Sequence, residues 1–121
     1  MELEVLYEGH RVKLCGIVDN GKCLVKDFLE SVENRQRKAQ MLSLLKYVSE
    51  NGPPYNEQKF KHLRGRIYEL KTRTGLRILC FWGEGNSLIL THGFFKGEKL
   101  NREIKKALKY FKDFQLPPFK K

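Results

Sequence analysis

An α+β fold is predicted, in the element order β-α-α-β-β-β-α, with an antiparallel sheet, an N-terminal helical hairpin and a C-terminal helix. Three observations predict it. Apolar residues recur at helical spacing after residue 23, strand-like composition takes over after Pro54, and helical spacing returns after Asn101. The 121 residues suit one domain, and folding at that length buries roughly two-thirds of the surface of the extended chain. The expectation is a single domain over 1–121, with 115–121 as a flexible tail.

The opening Leu3-Glu4-Val5-Leu6-Tyr7 mixes apolar and acidic residues as a partly exposed strand does. His10 to Val18 extends that strand or adds a hairpin arm, and Asp19-Asn20-Gly21-Lys22 is a turn signal. Leu24, Phe28 and Val32 are spaced by four and predict a first helix. A second is expected from Glu33 to about Glu50, with Ala39, Leu42, Leu45 and Val48 on its apolar side. Asn51-Gly52-Pro53-Pro54 stops it.

Segments Arg66–Thr72, Arg77–Trp82 and Ser87–Phe95 are rich in Ile, Leu, Phe, Tyr and Thr, and short Gly-containing turns separate them. They predict a three-stranded meander, covered on one face and partly shielded on the other. Asn101 is expected to cap the last helix, whose Ile104, Ala107, Leu108, Phe111 and Phe114 form one stripe.

Twenty-four Lys and Arg against fourteen Asp and Glu leave a net charge of +10. The surplus is uneven. Residues 1–34 hold four basic and seven acidic side chains, whereas 56–77 hold seven and two, and 96–121 hold nine and three. Such a field attracts polyanions, nucleic acid first among them; the plainer reading is lysines that keep a small domain in solution. The N-terminus lacks the pattern of a signal peptide, no apolar run is long enough to span a membrane, and Cys15, Cys23 and Cys80 form no CxxC pair. A reduced, cytoplasmic chain is expected.

No metal and no cofactor is expected, because His10, His62 and His92 lack ligand spacing and no phosphate-binding glycine motif occurs. Strand parity puts Glu69, Lys71 and Arg73 on one face of the first meander strand, and groups His92 with Leu88, Leu90 and Phe94. Arg77 opens the middle strand, where it reaches Lys71 or His92. That cluster suits RNA cleavage without metal, with His or Lys moving protons and Arg meeting the phosphate oxygens. The bland readings are a structural His92, an Arg77 that pairs with Glu69, and loop lysines at 96 and 99.

Leu63-Arg64-Gly65, Tyr68-Glu69-Leu70-Lys71, Arg77-Ile78-Leu79 and His92-Gly93-Phe94-Phe95-Lys96 stand in one order along the chain. This text resembles the HigB-like, phage-derived branch of the RelE/ParE toxin superfamily. Lys71 stands where that branch usually has Arg, the loop into the last helix is shorter, and the stretch from Glu8 to Cys23 is longer. The resemblance implies a RelE-like domain that acts as the toxin of a type II toxin–antitoxin pair. It implies a ribosome-dependent endoribonuclease, an mRNA interferase that cuts translated mRNA by attack of the 2′-hydroxyl on the phosphodiester. Arg77 would then stabilise the phosphate, His92 would be general acid or base, and Lys71 and Lys96 would share proton transfer or neutralise charge. Arg64, Arg66, Arg73 and Lys99 would grip RNA backbone, and the basic last helix would face ribosomal RNA. The implied partners are a helix-turn-helix antitoxin, mRNA on the ribosome and ribosomal RNA. A ParE-like inhibitor of DNA gyrase, or an inactive domain that binds RNA or an antitoxin, would share the fold.

Overall fold

The structure, a computed structural model, describes residues 1–115. Strands β1 (Glu2–Glu8), β2 (Lys13–Asp19) and β3 (Lys22–Cys23) lead into helices α1 (Leu24–Ser31) and α2 (Arg35–Asn51). Strands β4 (Phe60–Arg64), β5 (Ile67–Lys71), β6 (Leu76–Trp82) and β7 (Ser87–Phe95) follow, then helix α3 (Leu100–Gln115). The α+β class, the helical hairpin and the meander stand as expected. The sheet is mixed and open, in the order β1-β2-β7-β6-β5-β4, with β3 beside β2. Among the described residues one pairing, β2 with β7, is parallel, so the sheet is not antiparallel throughout as expected; the other pairs are antiparallel.

Two layers of helix cover this sheet. Val25, Leu29, Met41, Leu44, Leu45 and Val48 of α1 and α2 bury Leu14, Leu70, Leu76, Ile78, Cys80, Leu88 and Leu90 on one face. On the other, Ile104 and Ala107 of α3 bury Cys15, Ile17, Ile67, Leu79, Phe81, Ile89 and Phe94. Each face of an inner strand therefore meets a helix, which is why β6 and β7 read as nearly continuous apolar runs.

Several local expectations are corrected. Of the two expectations for the stretch after Glu8, the hairpin arm holds, as β2; its insertion between β1 and β7 was not expected. Ala39 and Leu42 are exposed, and Met41 and Leu44 take their places beside Leu45 and Val48. The cause is geometric: three-residue spacing drifts about 60° around a helix at each step, so it cannot hold one face. Asn34 caps α2, its Oδ1 accepting from the Arg37 amide at 3.0 Å. Asn101 does not cap α3. The Lys99 carbonyl accepts the amides of Arg102 and Glu103 at 3.0 and 3.2 Å, and Asn101 Oδ1 accepts from Arg64 Nη2 at 3.0 Å. Strand β4 lies outside the expected meander. The expected tail lies outside the described residues except for Gln115, which ends α3.

One irregularity in β7 organises both layers. Ile78 pairs with Gly93 and Cys80 with Leu90, so Leu79 alone faces both Thr91 and His92. This is a β-bulge, and it resets side-chain parity along the strand. Leu88 and Leu90 face α1 and α2, whereas His92 and Phe94 face α3. Gly93 turns back toward α1, where the Phe28 ring lies flat against it. A Cβ at Gly93 would sit 2.2 Å from Phe28 Cδ2. Phe28 also meets Phe95 at 5.3 Å between ring centroids, and the Arg37 guanidinium covers Phe95 at 5.0 Å. Overpacking of this kind costs about 1–3 kcal/mol. Gly93→Ala is thus expected to lower the thermal midpoint by several degrees, read by circular dichroism, whereas Gly85→Ala, with open space around it, is expected to lose only the backbone term of its positive φ.

Candidate functional site

The α3-facing side of the sheet carries the chemistry. The register pairs Lys71 with Arg77, and Arg77 with Phe94. On the far side of Lys71 lies Lys59, whose carbonyl accepts the Lys71 amide at 2.9 Å. One row further along, Lys61 pairs with Glu69 and Glu69 with Leu79, which faces the bulge at Thr91 and His92. Directly opposed side chains on neighbouring strands have Cβ atoms about 4.5–5.5 Å apart. Four cationic side chains and one carboxylate therefore share a patch two rows deep. Lys71 and Arg77 are half-buried, with Lys59 and Lys61 exposed at its margin.

Other expected residues fall around this patch at different ranges. Arg73 is exposed in the turn that joins the strands of Lys71 and Arg77. Lys96 follows β7, its amide donating to the Gly75 carbonyl at 2.7 Å, and its exposed side chain starts from that end of the patch. Lys99 is exposed at the start of α3. Arg64 and Arg66 flank the β4–β5 turn at the opposite end of β5. From Arg66 to Lys71 the strand advances about 17 Å at 3.3 Å per residue. These two arginines do not converge with Arg77.

His92 occupies the same face as Arg77 but is only 6% exposed. Sequence parity grouped it with Leu88 and Leu90; the bulge takes it to the other face. Its Nε2 donates to Glu103 Oε1 at 2.9 Å, and its Nδ1 lies 3.0 Å from Thr91 Oγ1. The Thr91 hydroxyl also lies 3.0 Å from the Leu79 carbonyl, and Lys106 Nζ approaches Glu103 Oε1 at 3.7 Å. Both ring nitrogens are engaged beneath α3. Burial pushes the imidazole below its ordinary value, outweighing the hydrogen bond it donates to Glu103, and Lys106 adds to the depression.

Glu69 has the opposite character. It is 5% exposed, and burial pushes its carboxyl above the ordinary range against the pull of Arg77, Lys71 and Lys61. The blander alternative made it an ion-pair partner for Arg77; its carboxylate lies within 4.0 Å of no cation among the described residues. Lys59 and Lys61 were missed because β4 was missed. The available signal was the two-residue alternation of Lys59, Lys61 and Leu63 against Phe60 and His62, which the charges obscure. Among the described residues, no three His, Cys, Asp or Glu converge as metal ligands, and no helix is long and apolar enough to cross a membrane.

Residues 27–112 match the model of the family described as phage derived protein Gp49-like (DUF891). The chain belongs to the Gp49-like family. That family lies within the RelE/HigB-like toxin superfamily, so this is a toxin-like protein of phage derivation, of a kind generally paired with an antitoxin. The matched span runs from α1 into α3 and omits β1, β2 and β3. A comparison with curated proteins found no match.

The buried histidine gives this Gp49-like protein a defined pH response. Burial disfavours the protonated form of His92 in the folded chain, whereas the unfolded chain takes up its proton near the ordinary value of 6.5. Stability is therefore expected to be intact above that value and to fall as pH drops through it, because the unfolded state then binds more protons. Urea midpoints between pH 7.5 and 5.5 measure the slope, and His92→Asn is expected to flatten it.

Proposed function

We propose that this protein is the toxin of a type II toxin–antitoxin pair and a ribosome-dependent endoribonuclease of the HigB-like kind. The observation that carries this reading is the cross-strand pairing of Lys71 with Arg77 on the half-open, α3-facing side of the sheet. Two like charges directly opposed in a sheet are destabilising by a few tenths of a kcal/mol or more. An anion between them reverses that sign, and a scissile phosphodiester is such an anion.

The chemistry needs no metal. The 2′-oxygen attacks phosphorus, the pentacoordinate phosphorane gains negative charge, and the 5′-oxygen leaves with a proton. The products are a 2′,3′-cyclic phosphate and a 5′-hydroxyl. Arg77, always charged and forked, meets the equatorial oxygens as charge develops. Lys71 and Lys96 neutralise charge, and an ammonium among them protonates the leaving oxygen. Lys59 and Lys61 extend this cationic margin. His92, with both nitrogens engaged, is assigned to holding α3 on the sheet rather than to proton transfer. Arg73 borders the patch and grips RNA backbone nearby; Arg64 and Arg66, at the other end of β5, meet a more distant stretch, and Lys99 joins them at the start of α3, where Asn101 accepts from Arg64. The exposed Arg102, Lys105, Lys106, Lys109 and Lys112 of α3 face ribosomal RNA. A helix-turn-helix antitoxin is the expected partner.

Expression without an antitoxin is expected to arrest growth and truncate translated mRNAs, mapped as new 5′ ends after brief induction. Arg77→Ala is expected to abolish those ends while leaving the thermal midpoint nearly unchanged, and Arg77→Lys is expected to restore only part of the activity because the fork is lost. Intact transcripts with double-strand DNA breaks would instead support a gyrase inhibitor.

Affinity for ribosomes is expected to fall steeply with salt, since each neutralised phosphate releases counterions. A log–log plot of binding against salt concentration gives the slope. The Lys71→Gln variant is expected to lower that slope by about one unit.

A further inference from the structure

We propose that Glu69 is a catalytic residue of this site, the general base that takes the 2′-hydroxyl proton. The inference rests on the nuclease reading above and names the group that reading leaves unassigned. Arg and Lys are protonated at neutral pH and can stabilise or donate, but cleavage by internal attack also requires an acceptor. His92 is the expected acceptor, and both of its ring nitrogens are engaged beneath α3.

Three features single out Glu69. The first is position: it pairs with Lys61 on β4 and Leu79 on β6, and stands two residues from Lys71 on the same face. The second is that its carboxylate is uncommitted. It accepts no hydrogen bond and no ion pair within 4.0 Å among the described residues, although Arg77, Lys71 and Lys61 all lie close enough to act on it. The third is access. Among the described residues no fully enclosed polar side-chain atom lacks a hydrogen-bond partner, so the unbonded Glu69 oxygens keep an opening to solvent. A carboxylate that only balanced charge would gain by closing onto one of its three cations. This one is held apart from all of them.

Lys61 faces Glu69 from β4, Lys71 from β5 and Arg77 from β6, and the adjacent Cys80 thiol on β6 is neutral because burial pushes its pKa far up. His92 on β7 and Glu103 on α3 lie beyond Leu79 and are bonded to each other. Desolvation raises the carboxyl against the pull of the three cations, which makes it a stronger base than an exposed glutamate.

Glu69 takes the 2′-hydroxyl proton as the 2′-oxygen bonds to phosphorus. The phosphorus–5′-oxygen bond breaks, and the departing oxygen takes a proton from the Lys71 ammonium. Solvent then returns the Glu69 proton to Lys71. No oxidant, reductant or metal enters.

The test is single-turnover cleavage of mRNA on programmed ribosomes, with ribosome binding measured in parallel. Glu69→Gln is expected to slow cleavage by about 10²–10⁴-fold without weakening ribosome binding. For the wild type, the rate is expected to rise with pH on the acidic side of neutrality; Glu69→Gln removes that rise, and Glu69→Asp retains it at a lower rate. Because the raised carboxyl costs the fold stability once ionised, Glu69→Gln is also expected to melt no lower than wild type at pH 7. Cleavage within threefold of wild type, with the same pH profile, would overturn the assignment while sparing the nuclease reading. A loss of rate matched by a loss of ribosome binding would make Glu69 a positioning group for Arg77 and Lys71. Should Glu69→Gln fail to fold, the wild-type profile decides: a rate independent of pH below neutrality removes the base. Wild-type protein that leaves ribosome-bound mRNA uncut removes the nuclease reading and this inference together.

Discussion

The extra residue in β7 is the constraint on which the rest of the molecule depends. Two residues, Thr91 and His92, oppose the single Leu79, and every side chain after them changes face relative to strict alternation. Without that reset, Phe94 would leave the α3 layer and Gly93 would leave the one position where Phe28 needs the absence of a Cβ. The bulge also turns His92 under α3, where Glu103 waits one turn into the helix. A local backbone irregularity thereby docks two helices on opposite faces of one sheet.

The two faces divide the work by their electrostatics. The side covered by α1 and α2 is almost wholly apolar, and the positively charged Arg37 at its edge is absorbed by the Thr74 carbonyl and the Phe95 ring. The side covered by α3 is covered only in part. Ile104 and Ala107 seal its middle, and the strand ends carrying Lys71 and Arg77 are left half-open. Cations opposed across a sheet are tolerated where water or an anion screens them, and a fully sealed site would forbid them. Partial coverage is therefore what allows the basic rows to exist at all.

The N-terminal hairpin has a separate role in this architecture. Strands β1, β2 and β3 precede the span matched by the Gp49-like family model, yet β2 pairs in parallel with β7 and makes it an inner strand. Gly9 and Gly16 allow that insertion. A Cβ at Gly9 would lie 2.3 Å from the Ser49 carbonyl oxygen, and one at Gly16 would lie 2.6 Å from Cys23 Sγ. The hairpin thus closes an edge that would otherwise leave the bulged strand unpaired and open to association.

Much of this was legible in the residues themselves. Helical spacing marked all three helices, Gly52 and the two prolines marked the stop of α2, and strand composition marked β5, β6 and β7, because those signals are local and depend on period and turn chemistry. Parity also grouped Glu69 with Lys71, since both lie on one uninterrupted strand. Only the tertiary structure decided the face of His92, because a bulge arises from pairing between two strands and leaves no period in either one. It also decided the buried stripe of α2, the strand character of the charged β4, and the partner of Asn101. Burial of Glu69 belongs to the same class: desolvation depends on what folds over a side chain, and its sequence neighbours are silent about that.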